Sequence, residues 1–194
     1  TTLGRHAALH AALEVEPPER AEREEAYRRL LVADVPKVIG LGFDAAEALD
    51  AAGDPDRVAW LTAAAQAARL DNKAQPKRAI KIAAMWAKRD ASLAATAAAV
   101  FTAAVDHPAP DVQKAALAAL GKLPAPPDAH VRDTVRTAAD GVAATNRPAL
   151  DALLAGWGDD PPAKELHRVV AGADTEGSAD AAASLDPKLR EASG

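Results

Sequence analysis

Three residues near the start of the chain have the types and the spacing to hold a metal ion. His6, His10 and Glu14 stand at i, i+4 and i+8, so a helix there would carry two imidazoles and a carboxylate on one face. A helical zinc peptidase motif also needs a glutamate directly after the first histidine. Ala7 stands in that position, and the general base is missing. No further ligand cluster joins the three, so no metal is expected. His107, His130 and His167 are isolated near turns or helix starts, where capping or solvent contact accounts for them. Asp54/Asp56 and Asp159/Asp160 are paired acids beside prolines, and helix capping explains them better than acid–base chemistry or calcium binding. The four serines, Ser92, Ser178, Ser184 and Ser193, lie in no nucleophile motif, and the chain has neither a phosphate-binding loop nor a dinucleotide fingerprint. With no cysteine, thiolate chemistry and disulfides are excluded.

A basic stretch is the most informative surface. Between Arg69 and Asp90 the local charge is +5, against −10 for the rest of the chain. At 100° per residue, Lys77, Lys81 and Lys88 fall within about 40° of one another, with Arg78 and Arg89 beside them. Ala79, Ile80, Ala83, Trp86 and Ala87 take the opposite side. Such a stripe suits an acidic protein or peptide partner, with a phosphate backbone as the alternative and a merely solvated helix face as the plainer reading. The net charge of −5 gives no general attraction to nucleic acid or to anionic membranes.

The elements that would position this stripe are helical. More than a quarter of the residues are Ala, the strongest helix former, while aromatic residues make up only 3%. No apolar run approaches the roughly 18 residues of a membrane span. The opening residues lack the basic and apolar regions of a signal peptide, so a cytoplasmic protein is expected. Helices are expected over Leu3 to Glu14, Glu19 to Ala33, Asp54 to Leu70 and Gln75 to Arg89. Others follow from Asp90, Pro110, Pro126 and Arg147, and a short one from Pro161. Between them, Gly40 and Gly42 argue against a continuous helix, and Asp44 is expected to cap a short one ending near Ala52. In the helix from Asp54, the expected inward residues are Val58, Leu61, Ala65 and Ala68.

These breaks recur. First helices of successive pairs start near Pro18, Asp54, Ala91, Asp128 and Pro162, about 34 to 37 residues apart. Pro36, Pro76, Pro110 and Pro148 mark second helices. A pair of this length cannot bury its own apolar face, so neighbouring pairs must stack. The clearest unit runs from His107 to Pro124. Pro110 and Asp111 suit a first helical turn. Val112, Ala115, Ala116, Ala119, Leu120 and Leu123 form one apolar stripe, with Gln113, Lys114 and Lys122 off it.

This stretch resembles the second helix of a HEAT-type repeat, Asp-Val-x-x-Ala-Ala-x-x-Ala-Leu-Gly-x-Leu. The segment His107 to Leu117 also resembles uncharacterised bacterial HEAT-like proteins carrying His-Pro-x-x-Asp-Val-Gln-x-x-Ala-Leu. The resemblance implies an all-α, right-handed α-solenoid of about four HEAT/ARM-like helix pairs over residues 1–171. Second helices of such pairs commonly line the concave side. The expected function is a non-catalytic protein-interaction scaffold with no cofactor, using Lys77, Arg78, Lys81, Lys88 and Arg89 as its contact set. HEAT-like folds include DNA glycosylases that act on alkylated bases, but no aromatic–Asp–Arg constellation stands out here. Trp60 and Trp86 lie on apolar faces, as core tryptophans do. A nucleic-acid-binding domain, or a purely structural spacer within a larger protein, would fit the same residues. Residues 172–194, rich in Gly, Ala, Ser and Asp, read as a linker-like tail, in which Leu185, Asp186, Pro187 and Leu189 could form a docking helix. A start at Thr1 without Met, and the lack of polar capping repeats, lead to the expectation of a piece of a longer protein.

Overall fold

A computed structural model describes residues 5, 9, 13, 15–53, 55–123 and 127–158. Among these residues there are nine α-helices and no strand. They are α1 (Pro17–Glu22), α2 (Glu24–Arg29), α3 (Pro36–Ala52), α4 (Arg57–Ala67), α5 (Ala74–Arg89), α6 (Ala94–Ala103), α7 (Pro110–Leu120), α8 (Ala129–Thr137) and α9 (Arg147–Trp157). Short 3₁₀ segments at Leu30–Val32, Ala91–Leu93, Ala138–Gly141 and Ala144–Asn146 join some of them. The potential metal-binding face of His6, His10 and Glu14, the short helix from Pro161 and the tail 172–194 lie outside the described residues.

The helices start where short polar side chains satisfy free backbone donors. Asp128 Oδ1 accepts from Val131 N at 2.9 Å, and Asp90 Oδ1 accepts from Ser92 N at 2.9 Å. Asn72 Oδ1 accepts from Gln75 N at 3.0 Å. Pro36 and Pro110 occupy first positions of α3 and α7, where a missing N–H costs nothing. Helix α4 starts later than expected, with Asp56 as its cap, accepting from Ala59 N at 3.0 Å; Asp54 lies outside the described residues. The Glu24 carboxylate fixes this start, since Oε1 accepts from Asp56 N at 3.0 Å and from Trp60 Nε1 at 2.8 Å. The expected helix from Glu19 to Ala33 is divided at Arg23, next to that glutamate.

Packing follows an alternating order. Helices α2, α4, α6 and α8 each touch the next in that series, and so do α3, α5, α7 and α9. Across the two rows α2 touches α3, α4 touches α5, α5 touches α6, α6 touches α7 and α8 touches α9. The core between the rows holds Phe43, Trp60, Leu61, Trp86, Phe101, Leu120 and Leu150. Small side chains such as Ala64, Ala83, Ala97 and Ala116 are fully covered there and allow close helix approach.

Three expectations are corrected by the packing. Helix α3 runs unbroken through Gly40 and Gly42, and Asp44 lies within it instead of capping a separate helix. Gly42 is there because α3 presses on the preceding segment. A β-carbon at this position would come to 2.9 Å from Leu31 Cδ2 and 3.2 Å from the Tyr27 carbonyl oxygen. Close tertiary contact therefore outweighs the helix-weakening effect of glycine. Val58 is 52% exposed and does not face inward, since the buried side of α4 is formed by Trp60, Leu61, Ala64 and Ala67. Helix α9 continues through Gly156 and Trp157 and closes at Gly158, whose φ of 76° suits glycine.

Candidate interaction surface

Helix α5 forms as expected, and its apolar side is buried through Ala79, Ile80, Ala83, Trp86 and Ala87. The five candidate cations divide into two groups. Lys77 Nζ lies 2.6 Å from Asp111 Oδ2 on α7, with Lys73 Nζ 3.5 Å from the other carboxylate oxygen. The Lys77 hydrogen bond, aided by Lys73, holds the Asp111 carboxyl below the usual carboxylate range. Arg78 reaches back to α3. Its guanidinium is 2.6 Å from Asp44 Oδ1 and 3.0 Å from Glu47 Oε2, donates to the Gly40 carbonyl at 3.2 Å, and sits 5.5 Å from the centre of the Phe43 ring. Arg89 lies 2.6 Å from Asp50 Oδ2. Lys81 and Lys88 are exposed and meet no carboxylate among the described residues.

Asp50 joins three helices, a grouping not evident in the sequence. Its Oδ1 accepts from Arg57 Nε at 3.0 Å and Nη2 at 2.9 Å, while Arg89 holds Oδ2. Arg57 also lies 6.0 Å from the centre of the Trp86 ring. Burial pushes the Asp50 carboxyl up, but the hydrogen bonds from Arg57 and Arg89 and the charge of Arg89 outweigh it, and the net value is below normal. This brings an aromatic residue, an aspartate and arginines together. However, the Asp50 side chain is only 5% exposed and Trp86 only 1%. The geometry is that of a clamp between helices, with the carboxylate already engaged.

A second polar cluster links α7 to the start of α9. Gln113 is buried, in contrast to its expected surface place. Its amide nitrogen donates to the His107 carbonyl at 2.8 Å and the Gly141 carbonyl at 3.0 Å. Its oxygen accepts from Ala143 N at 2.9 Å and Asn146 Nδ2 at 3.2 Å. Asn146 Nδ2 also donates to the Pro110 carbonyl at 2.8 Å. His107 is buried too, correcting the expectation of simple capping or exposure. Nδ1 accepts from Ala109 N at 2.9 Å, which leaves Nε2–H to donate to the Leu70 carbonyl at 3.0 Å. His130 is exposed.

Beside Lys88 lies an apolar groove of about 720 Å³, bounded by α5, the Ala91–Leu93 turn, α6 and the end of α7. Met85, Phe101, Ala119 and Leu123 contribute to its wall, and Lys122 stands with Lys88 among the lining residues. The periodicity of α7 places Lys122 off the apolar stripe but gives no sign that it shares a groove with Lys88. That proximity depends on how α5 and α7 pack.

Among the described residues no group of three or more His, Cys, Asp or Glu is arranged to hold a metal. No described helix is long and apolar enough to cross a membrane. Comparisons with protein-family models, curated proteins and solved structures find no match to this chain.

Proposed function

We propose that this chain is a HEAT-like, right-handed α-solenoid that serves as a non-catalytic protein-interaction scaffold. The observation that carries the reading is a recurring sequence span of 36 to 39 residues in four ties between segments of the chain. Glu24 meets Trp60, Gln75 Nε2 donates to the Pro36 carbonyl, His107 meets Leu70, and Asn146 donates to the Pro110 carbonyl. These partners are 36, 39, 37 and 36 residues apart. Stacked helix pairs of that length would place equivalent positions side by side in this way. The resemblance of His107–Pro124 to a HEAT second helix supports the same reading.

The partner class follows from charge. Lys77, Arg78 and Arg89 are already neutralised by neighbouring carboxylates, which disfavours a continuous track for phosphates. Lys81 and Lys88 are left for an acidic protein or peptide. The test is capture of partners by the purified chain, with and without nuclease, in wild type and in Lys81→Glu/Lys88→Glu. A protein retained after nuclease and lost from the variant, with unchanged circular dichroism, is the expected result. Retention of nucleic acid alone, or no retained partner, overturns the proposal.

A further inference from the structure

The groove beside Lys88 permits a more specific statement of the partner, one that rests on the scaffold reading above. We infer that it binds an extended or helical protein segment whose apolar side chains enter the groove and whose Asp or Glu residues meet Lys88 and Lys122. Met85, Phe101, Ala119 and Leu123 give the groove an apolar lining, and the two lysines supply the charged groups of its lining side chains. Both lysines are exposed and have no carboxylate partner among the described residues, unlike Lys77 and Arg89 nearby. Apolar contact bordered by charge is the pattern of a protein interface. A polar metabolite would instead need several converging hydrogen-bonding groups, which this lining lacks. Met85 adds an unbranched, adaptable contact suited to more than one apolar side chain. Like charge at the two lysines selects an acidic partner and disfavours a basic one.

The experiment is selection of a random 12-residue peptide display library on the wild-type chain, with counter-selection on Lys88→Glu/Lys122→Glu. Selected peptides are then measured against both proteins and against Ala84→Trp, which fills the groove from an exposed position on α5. The expected peptides combine Asp or Glu with Leu, Phe or Trp, and lose about ten-fold or more in affinity on either variant. Hydrogen exchange on wild type should slow at residues 84–91 and 119–123 when peptide is added. Enrichment without acidic residues, no enrichment, or equal binding to all three folded proteins overturns the groove assignment. A natural protein partner that still binds both groove variants leaves the scaffold reading intact while removing the groove. A wild-type chain that captures no protein partner removes the scaffold reading itself.

Discussion

The joint around α3, α4 and α5 and the joint around α7 and α9 tie helices together by different chemistry. In the first, Asp50 joins Arg57 to Arg89, and Arg78 joins Asp44 to Glu47. Several of these groups are open to water. Arg89 is 58% exposed and Asp44 61% exposed. In the second, a neutral amide is almost entirely enclosed, and each hydrogen-bonding direction of the Gln113 side chain is used. The charged joint responds to salt and acid because its interactions involve ions near solvent. The amide joint cannot exchange lost partners for water, so it tolerates substitution poorly but changes little with the medium.

The largest expected effect comes from breaking the amide joint. Gln113→Leu should cost about 3 kcal/mol in chemical denaturation, because several enclosed carbonyl and N–H groups lose their partners at once. An effect below about 1 kcal/mol would mean that water reaches these groups or that the local chain rearranges.

Asp50→Asn should cost about 2 kcal/mol, less than a fully buried ion pair because Arg89 is well exposed. Asp50 also sets the direction of pH dependence. Its folded pKa is below normal, so its stabilisation is complete above the unfolded value of about 4 and falls away as pH drops through the folded value. Wild type should therefore lose stability more steeply than Asp50→Asn below about pH 4. Parallel pH profiles in urea would remove Asp50 as a source of that dependence.

Packing within the charged region gives a sharper test. Gly42→Ala should destabilise by about 1–2 kcal/mol, since the added methyl meets both Leu31 and the Tyr27 backbone. Gly40→Ala has open space at the same point and should stabilise α3 by up to about 1 kcal/mol. Equal effects from the two variants would show that helix propensity, and not close contact, controls this helix. The smallest expected effect is that of Lys77→Ala, whose pair with Asp111 lies half in solvent. Its thermal midpoint should stay within measurement error at physiological salt.

The two regions also differ in how far the sequence reveals them. The buried stripe Val112, Ala116, Ala119 and Leu120 is legible because its spacing is local and helical. Gln113 is not legible, since its burial depends on Gly141, Ala143 and Asn146, which arrive from about 30 residues later. The basic face of α5 is legible as a cluster, but the carboxylates that engage Lys77, Arg78 and Arg89 lie 31 to 39 residues away in sequence. Gly40 and Gly42 look alike to propensity, and the approach of Leu31 and the Tyr27 carbonyl to Gly42 separates them. The grooved surface at Lys88 and Lys122 depends on the same kind of distant pairing.

The spans of these ties bear on how the chain acquires its structure during synthesis. Trp60 finds Glu24 after 36 residues, and Asn146 finds Pro110 after another such interval. Each of these links closes a short loop, and loops of this length form early and at modest entropic cost. As the chain leaves the ribosome, each new helix can dock on those already made, before the later ones exist. Apolar faces such as that of Trp60 are then exposed only while the helices that cover them are being added.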